Sequence, residues 1–346
     1  MKLLRSNILF IIPYHRIGGA EKVHLEIIKS LPTKPIVYFP NIDRISDDNP
    51  FTKVAYCFCN RSSFRVLFGF FNLIAAVQKS YVFGCNNKLF YEILSSFRRN
   101  VVRIDLTHAF SSPEIGMEYF SLNYVNYLDK RIVINNRTLN DYQKLYKSKN
   151  INSHFLSRFE IIPNGVKISD FNYSLIKKRF DNFIVGFVGR NSSEKRPELF
   201  FKIVKEAGVQ SKVIGDDFQN FKQENQSTIF FENCNEPDIV RNQFAVISVL
   251  IVTSDKEGFP LVIMEAMELG IPIISSNVGS VSEHVQNNVN GFLIPIDFEV
   301  SSVVGIIREI SNNFTFYNEL SVASREHAVE HFDISNFRER YQKLFE

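Results

Sequence analysis

The densest chemistry in the chain lies in Thr253-Ser254-Asp255-Lys256-Glu257-Gly258-Phe259-Pro260-Leu261-Val262-Ile263-Met264-Glu265. Glu257 stands in a loop before a helical pattern. Glu265 falls on a helix face with Leu261, Val262 and Leu269, its neighbours at i−4, i−3 and i+4. A carboxylate on an apolar face requires a partner or a ligand hydroxyl. Two carboxylates, one in the loop and one on the helix, suit the hydroxyls of a polyol, and Gly258 lets the backbone come close to it. Pro260 opens the helix, Gly270 closes it and Pro272 lies just beyond. A second group is Gly189-Arg190-Asn191-Ser192-Ser193-Glu194-Lys195-Arg196-Pro197. Pro197 suits a first helical position, so Lys195 and Arg196 oppose the helix dipole unless an anion lies between them. Arg190 adds a planar fork of donors, and a bound diphosphate would satisfy all three cations.

Further candidates are weaker when taken alone. Gly18-Gly19-Ala20-Glu21 opens a helix, where glycines let backbone N–H groups approach a phosphate. The segment is not G-x-G-x-x-G, and two glycines at a turn are, taken alone, more often structural. His108 follows a strand, although a lone histidine is more often structural. His327-Ala328-Val329-Glu330-His331 matches the zinc-protease spacing H-x-x-E-H, but little sequence follows to supply another ligand, so it reads as coincidence. Asp216-Asp217 is contiguous and is not a D-x-D pair. Cys57, Cys59, Cys85 and Cys234 have no C-x-x-C spacing, which gives neither a disulfide framework nor a zinc pattern and reads as a reduced, cytoplasmic chain.

These residues need elements to hold them. Short apolar runs at 7–12, 36–39, 81–84, 101–106 and 131–134 alternate with helical patterns at 20–30, 64–79, 88–98 and 138–146. After Ile161-Ile162-Pro163-Asn164-Gly165 a polar stretch reaches Asp181, and the alternation restarts. Strands are expected at 183–188, 212–214, 228–231, 249–253, 272–275 and 292–296, with helices at 197–207, 260–269 and 301–310. Strands separated by helices imply βαβ units, parallel sheets and an α/β fold. In such sheets ligands sit beyond the carboxyl ends of the strands, where most of the candidates above fall.

The 346 residues favour two domains. The 45% hydrophobic and 22% charged content is that of a packed protein, not a disordered one. A net charge of +3 gives no sign of a nucleic-acid binder, although residues 1–160 carry net +10 and residues 161–346 net −7. Phe is abundant, with 34 residues against no Trp. The apolar run at 8–12 stops at Pro13 with no small-residue cleavage site after it, so it reads as a buried strand and not a signal peptide. The longest apolar stretch, 66–77, is shorter than the roughly 20 residues of a spanning helix. Arg65, Asn72 and Lys79 recur every seventh residue on one polar stripe, so 64–79 is either a mostly buried helix or a membrane-surface helix.

The chain resembles glycosyltransferase family 4, the retaining group 1 enzymes of the GT-B fold. The family's Glu-x7-Glu element is matched by Glu257 and Glu265, its donor-diphosphate element by Gly189, Arg190 and Lys195. Its Ile-Pro-Asn-Gly element is matched by Ile162 to Gly165, and its first-loop glycines by Gly18 and Gly19. The resemblance implies two Rossmann-like domains facing across a cleft. The N-terminal, acceptor-binding domain would be 1–164 with a returning C-terminal helix at about 332–346. The C-terminal, nucleotide-sugar-binding domain would be 165–331.

It further implies a UDP- or GDP-sugar donor, a lipid-linked or saccharide acceptor, no cofactor and no metal. Glu257 with the amides of Gly258 and Phe259 would hold sugar hydroxyls beside Pro260 and Leu261, and Glu265 the ribose. Arg190 and Lys195 would meet the charge growing on the diphosphate, and His108 would stand near the reaction centre. Two departures are Thr253 where the family usually has Pro, and Arg196 where Gly often follows the lysine. Base contacts are expected from the loop at 232–236. The product would be a surface glycan such as lipopolysaccharide, O-antigen or capsule. The basic N-terminal half would attach peripherally to the inner face of the cytoplasmic membrane. The competing reading is a non-catalytic GT-B subunit that recruits or activates another transferase; an epimerase of related fold has no support in the motifs.

Overall fold

The computed structural model describes residues 6–13, 18–46, 49–110, 115–232 and 237–346. The chain divides into two compact units, one of residues 1–164 with 335–346 and one of residues 165–334.

In the first unit seven parallel strands form one sheet: β1 (Ile8–Ile11), β2 (Ile36–Phe39), β3 (Tyr56–Cys59), β4 (Ser80–Cys85), β5 (Val101–Thr107), β6 (Lys130–Val133) and β7 (Phe159–Ile161). Their order is β3-β2-β1-β4-β5-β6-β7, a doubly wound arrangement in which the chain reverses direction across the sheet between β1 and β4. The central strands β1, β2 and β4 are buried throughout, as strands covered on both faces must be. The edge strands β3 and β7 are only half-buried, and sequence patterning overlooks both, β7 because it is short and has Glu160 at its centre.

The pattern at 64–79 forms the helix Arg61–Val77, capped by Asn60, whose side chain accepts a hydrogen bond from the Ser63 amide at 2.9 Å. Its Leu67, Phe71 and Ile74 face the core, while Val66, Leu73 and Val77 point to solvent. The helix is therefore half-buried and not mostly buried. The helical pattern at 88–98 is shorter than its periodicity suggests: an α-helix over Lys88–Glu92, then a 3₁₀ turn over Leu94–Ser96. Beneath the sheet Arg131 and Asp105 form a buried ion pair at 2.8 Å. Tyr91 donates to the same carboxylate at 2.9 Å, and the guanidinium also reaches Tyr146 and Ser121 at 3.1 and 2.7 Å. The helix Ile334–Leu344 brings Gln342 to the Ser30 carbonyl at 2.7 Å and Arg338 to Glu26 at 2.5 Å. Phe345, just beyond it, packs on Phe10, Tyr81 and Phe83.

The second unit holds six parallel strands: β8 (Ile184–Val188), β9 (Gln210–Ile214), β10 (Thr228–Phe231), β11 (Val249–Val252), β12 (Ile273–Ser276) and β13 (Gly291–Ile294). Their order β10-β9-β8-β11-β12-β13 repeats the doubly wound plan, with its reversal between β8 and β11. The helix Pro197–Ala207 has Pro at its first turn and left-handed Gly208 at its end. Its buried Phe200 and Phe201 join Phe187, Phe218, Phe221 and Phe230 in a cluster of ring contacts, giving part of the Phe excess a packing role. The helix Phe314–His331 escapes periodicity because its inner face buries Ser321, Ser324 and Arg325 among the apolar residues.

Candidate active site

In the second unit, β8 and β11 are neighbours at the reversal point, and the loops that follow them meet. Asp255 N–H donates to the Glu194 carbonyl at 3.0 Å, which ties the two loops together. Across this junction the Lys195 ammonium and the Glu257 carboxylate form a salt bridge, both side chains being at most one-fifth exposed. Ser254 donates to the same Glu257 oxygen at 3.0 Å. The anion that the cationic segment before Pro197 requires is thus supplied within the chain, by Glu257. Lys195 and Glu257, separate elements in the sequence, are brought together by the fold.

Arg196 behaves differently from the expectation that it faces an anion. Its Nε donates to the Thr253 carbonyl at 2.6 Å and one Nη to the Ile296 carbonyl at 2.7 Å. Its backbone is left-handed, φ 47° and ψ 53°, a conformation that costs a non-glycine residue about 1–2 kcal/mol. Thr253 completes the latch, with its hydroxyl donating to the carbonyls of Lys195 at 2.7 Å and Arg196 at 3.1 Å. The two departures from the family pattern therefore hold each other: Arg196 stands where glycine is easiest, and Thr253 anchors the turn that contains it. Arg190 is exposed, with Glu194 3.8 Å from its guanidinium, and is free to swing toward a ligand.

The loop bearing Glu257 and Gly258 rests on the turn after β12. Ser280 N–H donates to the Gly258 carbonyl at 2.9 Å. Gly279 has φ +54°, and a Cβ there would lie 2.0 Å from that carbonyl oxygen. Gly189, at the end of β8, is pressed the same way by Gly215, whose added Cβ would lie 1.9 Å from the Gly189 oxygen. The signal for both close approaches was present as isolated glycines just past apolar runs. Without their partner segments it has no direction.

Phe259 is buried against His284 and Phe332, at centroid distances of 4.6 and 5.6 Å. Its side chain therefore supports the loop. Pro260 is the N-cap of the helix Leu261–Glu268, one residue before its first turn, and Leu261 is half-buried there. Glu265 is also half-buried. The deeply buried carboxylate of this helix is Glu268, held by Arg325 at 3.1 Å, Arg241 at 3.0 Å and the Ser169 amide at 3.1 Å. Glu268 is thus a structural acid, which periodicity could not show.

In the first unit the Gly18 amide donates to the Glu21 carboxylate at 3.1 Å. That side chain occupies the place an anion would take at the helix Gly19–Ser30, so Gly18 offers no open amide; Gly19 is exposed. His108 follows β5, and its Nε2 lies 3.4 Å from Nε2 of His24. Burial holds the His108 imidazole down at about 4, well below its ordinary 6.5, so the ring is neutral near pH 7. The segment His327 to His331 lies on one helix with its two rings 4.3 Å apart, and His284 meets His327 at 3.1 Å. Of the 232–236 loop only Glu232 is described, and it bonds Lys222 at 2.8 Å; residues 233–236 lie outside the described residues.

The reversal point of a doubly wound sheet, beyond the carboxyl ends of its strands, is where α/β domains of this kind bind ligands, and these loops place a basic and an acidic side chain there. Residues 175–327, within the second unit, match the family model of Glycosyl transferases group 1. The chain is 28% identical over 184 residues to an uncharacterized 41.2 kDa protein of the Klebsiella pneumoniae cps region, covering 52% of this chain and 50% of that one. It is 23% identical over 211 residues to UDP-Gal:alpha-D-GlcNAc-diphosphoundecaprenol alpha-1,3-galactosyltransferase of Escherichia coli, covering 54% of each. The chain thus spans about half the length of the curated relatives it matches. Among solved structures, Anabaena Alr3699/HepE in complex with UDP-glucose superposes with TM-score 0.75 at 20% identity, over 97% of this chain and 98% of that one. The lipopolysaccharide outer core galactosyltransferase WaaB superposes with TM-score 0.67 at 18% identity, over 97% and 98%. The fold is GT-B, built of two Rossmann-like α/β domains.

Proposed function

We propose that the protein is a retaining glycosyltransferase that moves a sugar from a UDP- or GDP-sugar to a growing lipid-linked or saccharide chain of a surface glycan. The observation that carries this reading is the Lys195–Glu257 pair, braced by Ser254 between the ends of β8 and β11 in the group 1 domain. On this reading donor binding exchanges the internal pair for two ligand contacts. Lys195, with Arg190, turns to the diphosphate, and Glu257 accepts hydrogen bonds from the sugar. Glu265 takes the ribose hydroxyls. Charge that develops on the leaving diphosphate then meets fixed cations, a type of stabilisation where losing one donor costs about 2.7–4 kcal/mol. These side chains would do so without a metal or cofactor. The cps-region relative and the galactosyltransferase acting on a diphosphoundecaprenol-linked sugar support a surface-glycan acceptor. The retaining outcome is what the resemblance of the Glu257 and Glu265 element to glycosyltransferase family 4 implies.

The wild-type chain should transfer labelled sugar from a nucleotide-sugar to a polyprenyl-diphosphate saccharide. Glu257→Ala and Arg190→Ala should each fall by about 10²–10³-fold. Unchanged turnover in both variants rejects the site.

The same proposal places the protein on the inner face of the cytoplasmic membrane. No helix among the described residues is long and apolar enough to cross a membrane. The helix Arg61–Val77 exposes Val66, Leu73 and Val77, and residues 61–79 include Arg61, Arg65 and Lys79 with no acidic residue. Basic residues near an anionic surface contribute about 1 kcal/mol each. Sedimentation with anionic vesicles should be strong and salt-sensitive; equal binding to neutral vesicles contradicts this placement.

A further inference from the structure

His24, Cys85 and His108 are 84 residues apart from first to last, and no spacing rule would group them. The fold does so through three neighbouring strands. His24 lies on the helix after β1, Cys85 ends β4 and His108 follows β5, and these strands are adjacent in the order β1-β4-β5. One ligand atom from each residue lies within 4.8 Å of the other two. We propose that these three side chains form a binding site for a borderline-soft divalent cation of the zinc type.

Three observations carry the proposal. The first is ligand type: two imidazoles and a thiol select zinc-like cations over magnesium or calcium, which take oxygen. The second is spacing. Two imidazole nitrogens bound to one tetrahedral zinc at about 2.0–2.1 Å lie about 3.4 Å apart, and the two Nε2 atoms here are 3.4 Å apart. The third is enclosure: His24 and Cys85 are 1% and 3% exposed, which keeps two of the three ligand groups out of bulk water.

The electrostatics agree. Both imidazoles are held neutral, His24 by burial and then by His108, and His108 by burial, so no proton competes with a metal on either ring near pH 7. Burial first, then the fields of Asp105, Glu21 and Glu118, raise the Cys85 thiol, so the cation must displace a held proton, while the same acidic fields attract it. Binding replaces the thiol S–H bond by a sulfur–metal bond and releases the proton to solvent. Three protein ligands leave a fourth tetrahedral position for water. If His108 serves the transfer proposed above, an ion held there would inhibit it; cation binding itself does not depend on that reading.

The test uses the full chain stripped of metal with a chelator, then titrated with Co2+ and with Zn2+ against a chromogenic competitor. One equivalent of Co2+ should bind with thiolate-to-cobalt charge-transfer absorption, and Zn2+ should displace it. Cys85→Ser should abolish that absorption, and His24→Gln should weaken Zn2+ at least tenfold. Cys59→Ser and His327→Gln, which alter other thiol and imidazole groups, should leave both unchanged. Absence of a stoichiometric site in the wild type, or absorption that survives Cys85→Ser, or a loss that follows Cys59 or His327, overturns the proposal.

Discussion

Gly279 gives the sharpest test of how the loop bearing Glu257 is positioned. Replacement by Ala places a Cβ 2.0 Å from the Gly258 carbonyl oxygen and 2.5 Å from that of Glu257. Ordinary Cβ contacts begin near 3.4 Å, so the Gly258 peptide must retreat by about 1.4 Å. The φ of +54° adds strain on the order of 1–3 kcal/mol. A misplacement of about 1 Å at a positioned group costs about 10²-fold in rate. Gly279→Ala should therefore lower kcat/KM for the nucleotide-sugar about 100-fold at a temperature where the protein remains folded. Gly208→Ala is the control. Its φ is also positive, at +66°, but its Cβ would meet nothing within 4 Å, so it pays strain without moving the loop. Transfer assays on both variants, with circular dichroism to confirm folding, separate the effects. Full activity in a folded Gly279→Ala protein, or an equal loss in Gly208→Ala, refutes the reasoning.

Other consequences follow from the buried polar groups. Asp105→Ala leaves the Arg131 guanidinium, 2% exposed, without its carboxylate, and should destabilise the N-terminal unit by about 3–5 kcal/mol in urea unfolding. A change within the surface-mutation range of about 0.5 kcal/mol contradicts this. For pH, His108, His284 and His327 are each held at about 4 by burial, with neighbouring histidines adding to the effect at His284 and His327, against an ordinary 6.5. As pH falls below about 6.5 the unfolded chain takes up protons that the folded chain does not, so stability should decline from pH 6.5 toward pH 4. Urea midpoints should thus be lower at pH 5 than at pH 7, and less so in His108→Gln; a midpoint that rises on acidification contradicts the sign. Thr253→Val removes the hydroxyl donated to the Lys195 and Arg196 carbonyls. It should cost about 1 kcal/mol of stability and weaken nucleotide binding, read by calorimetry, whereas a neutral result shows that the latch does not position Lys195.

The fold class was legible because its evidence is local. Buried parallel strands are apolar throughout, so β1, β2, β4, β8 and β11 stand out within a few residues of their bounds. The short edge strand β7, with Glu160 at its centre, does not, and the helix Phe314–His331 hides its inner face behind buried serines and an arginine. In the site, the residue types and their strand-end positions were legible, but their pairings were not. Nothing in the spacing says that Lys195 meets Glu257, that Arg196 turns to carbonyls, or that Glu268 takes two arginines. The cluster of His24, Cys85 and His108 is the extreme case, since only the order of β1, β4 and β5 brings it together.

The central claim is that the second unit holds a nucleotide-sugar through Lys195 and Glu257, and calorimetric titration of the full chain with UDP, GDP, ADP and their sugars tests it most directly. The account predicts saturable binding of one base's diphosphate and its sugar, weakened at least tenfold by Lys195→Ala. Glu257→Ala should weaken the sugar nucleotide more than the free diphosphate. Failure of every nucleotide to bind the folded wild-type chain, or binding that Lys195→Ala leaves untouched, contradicts it.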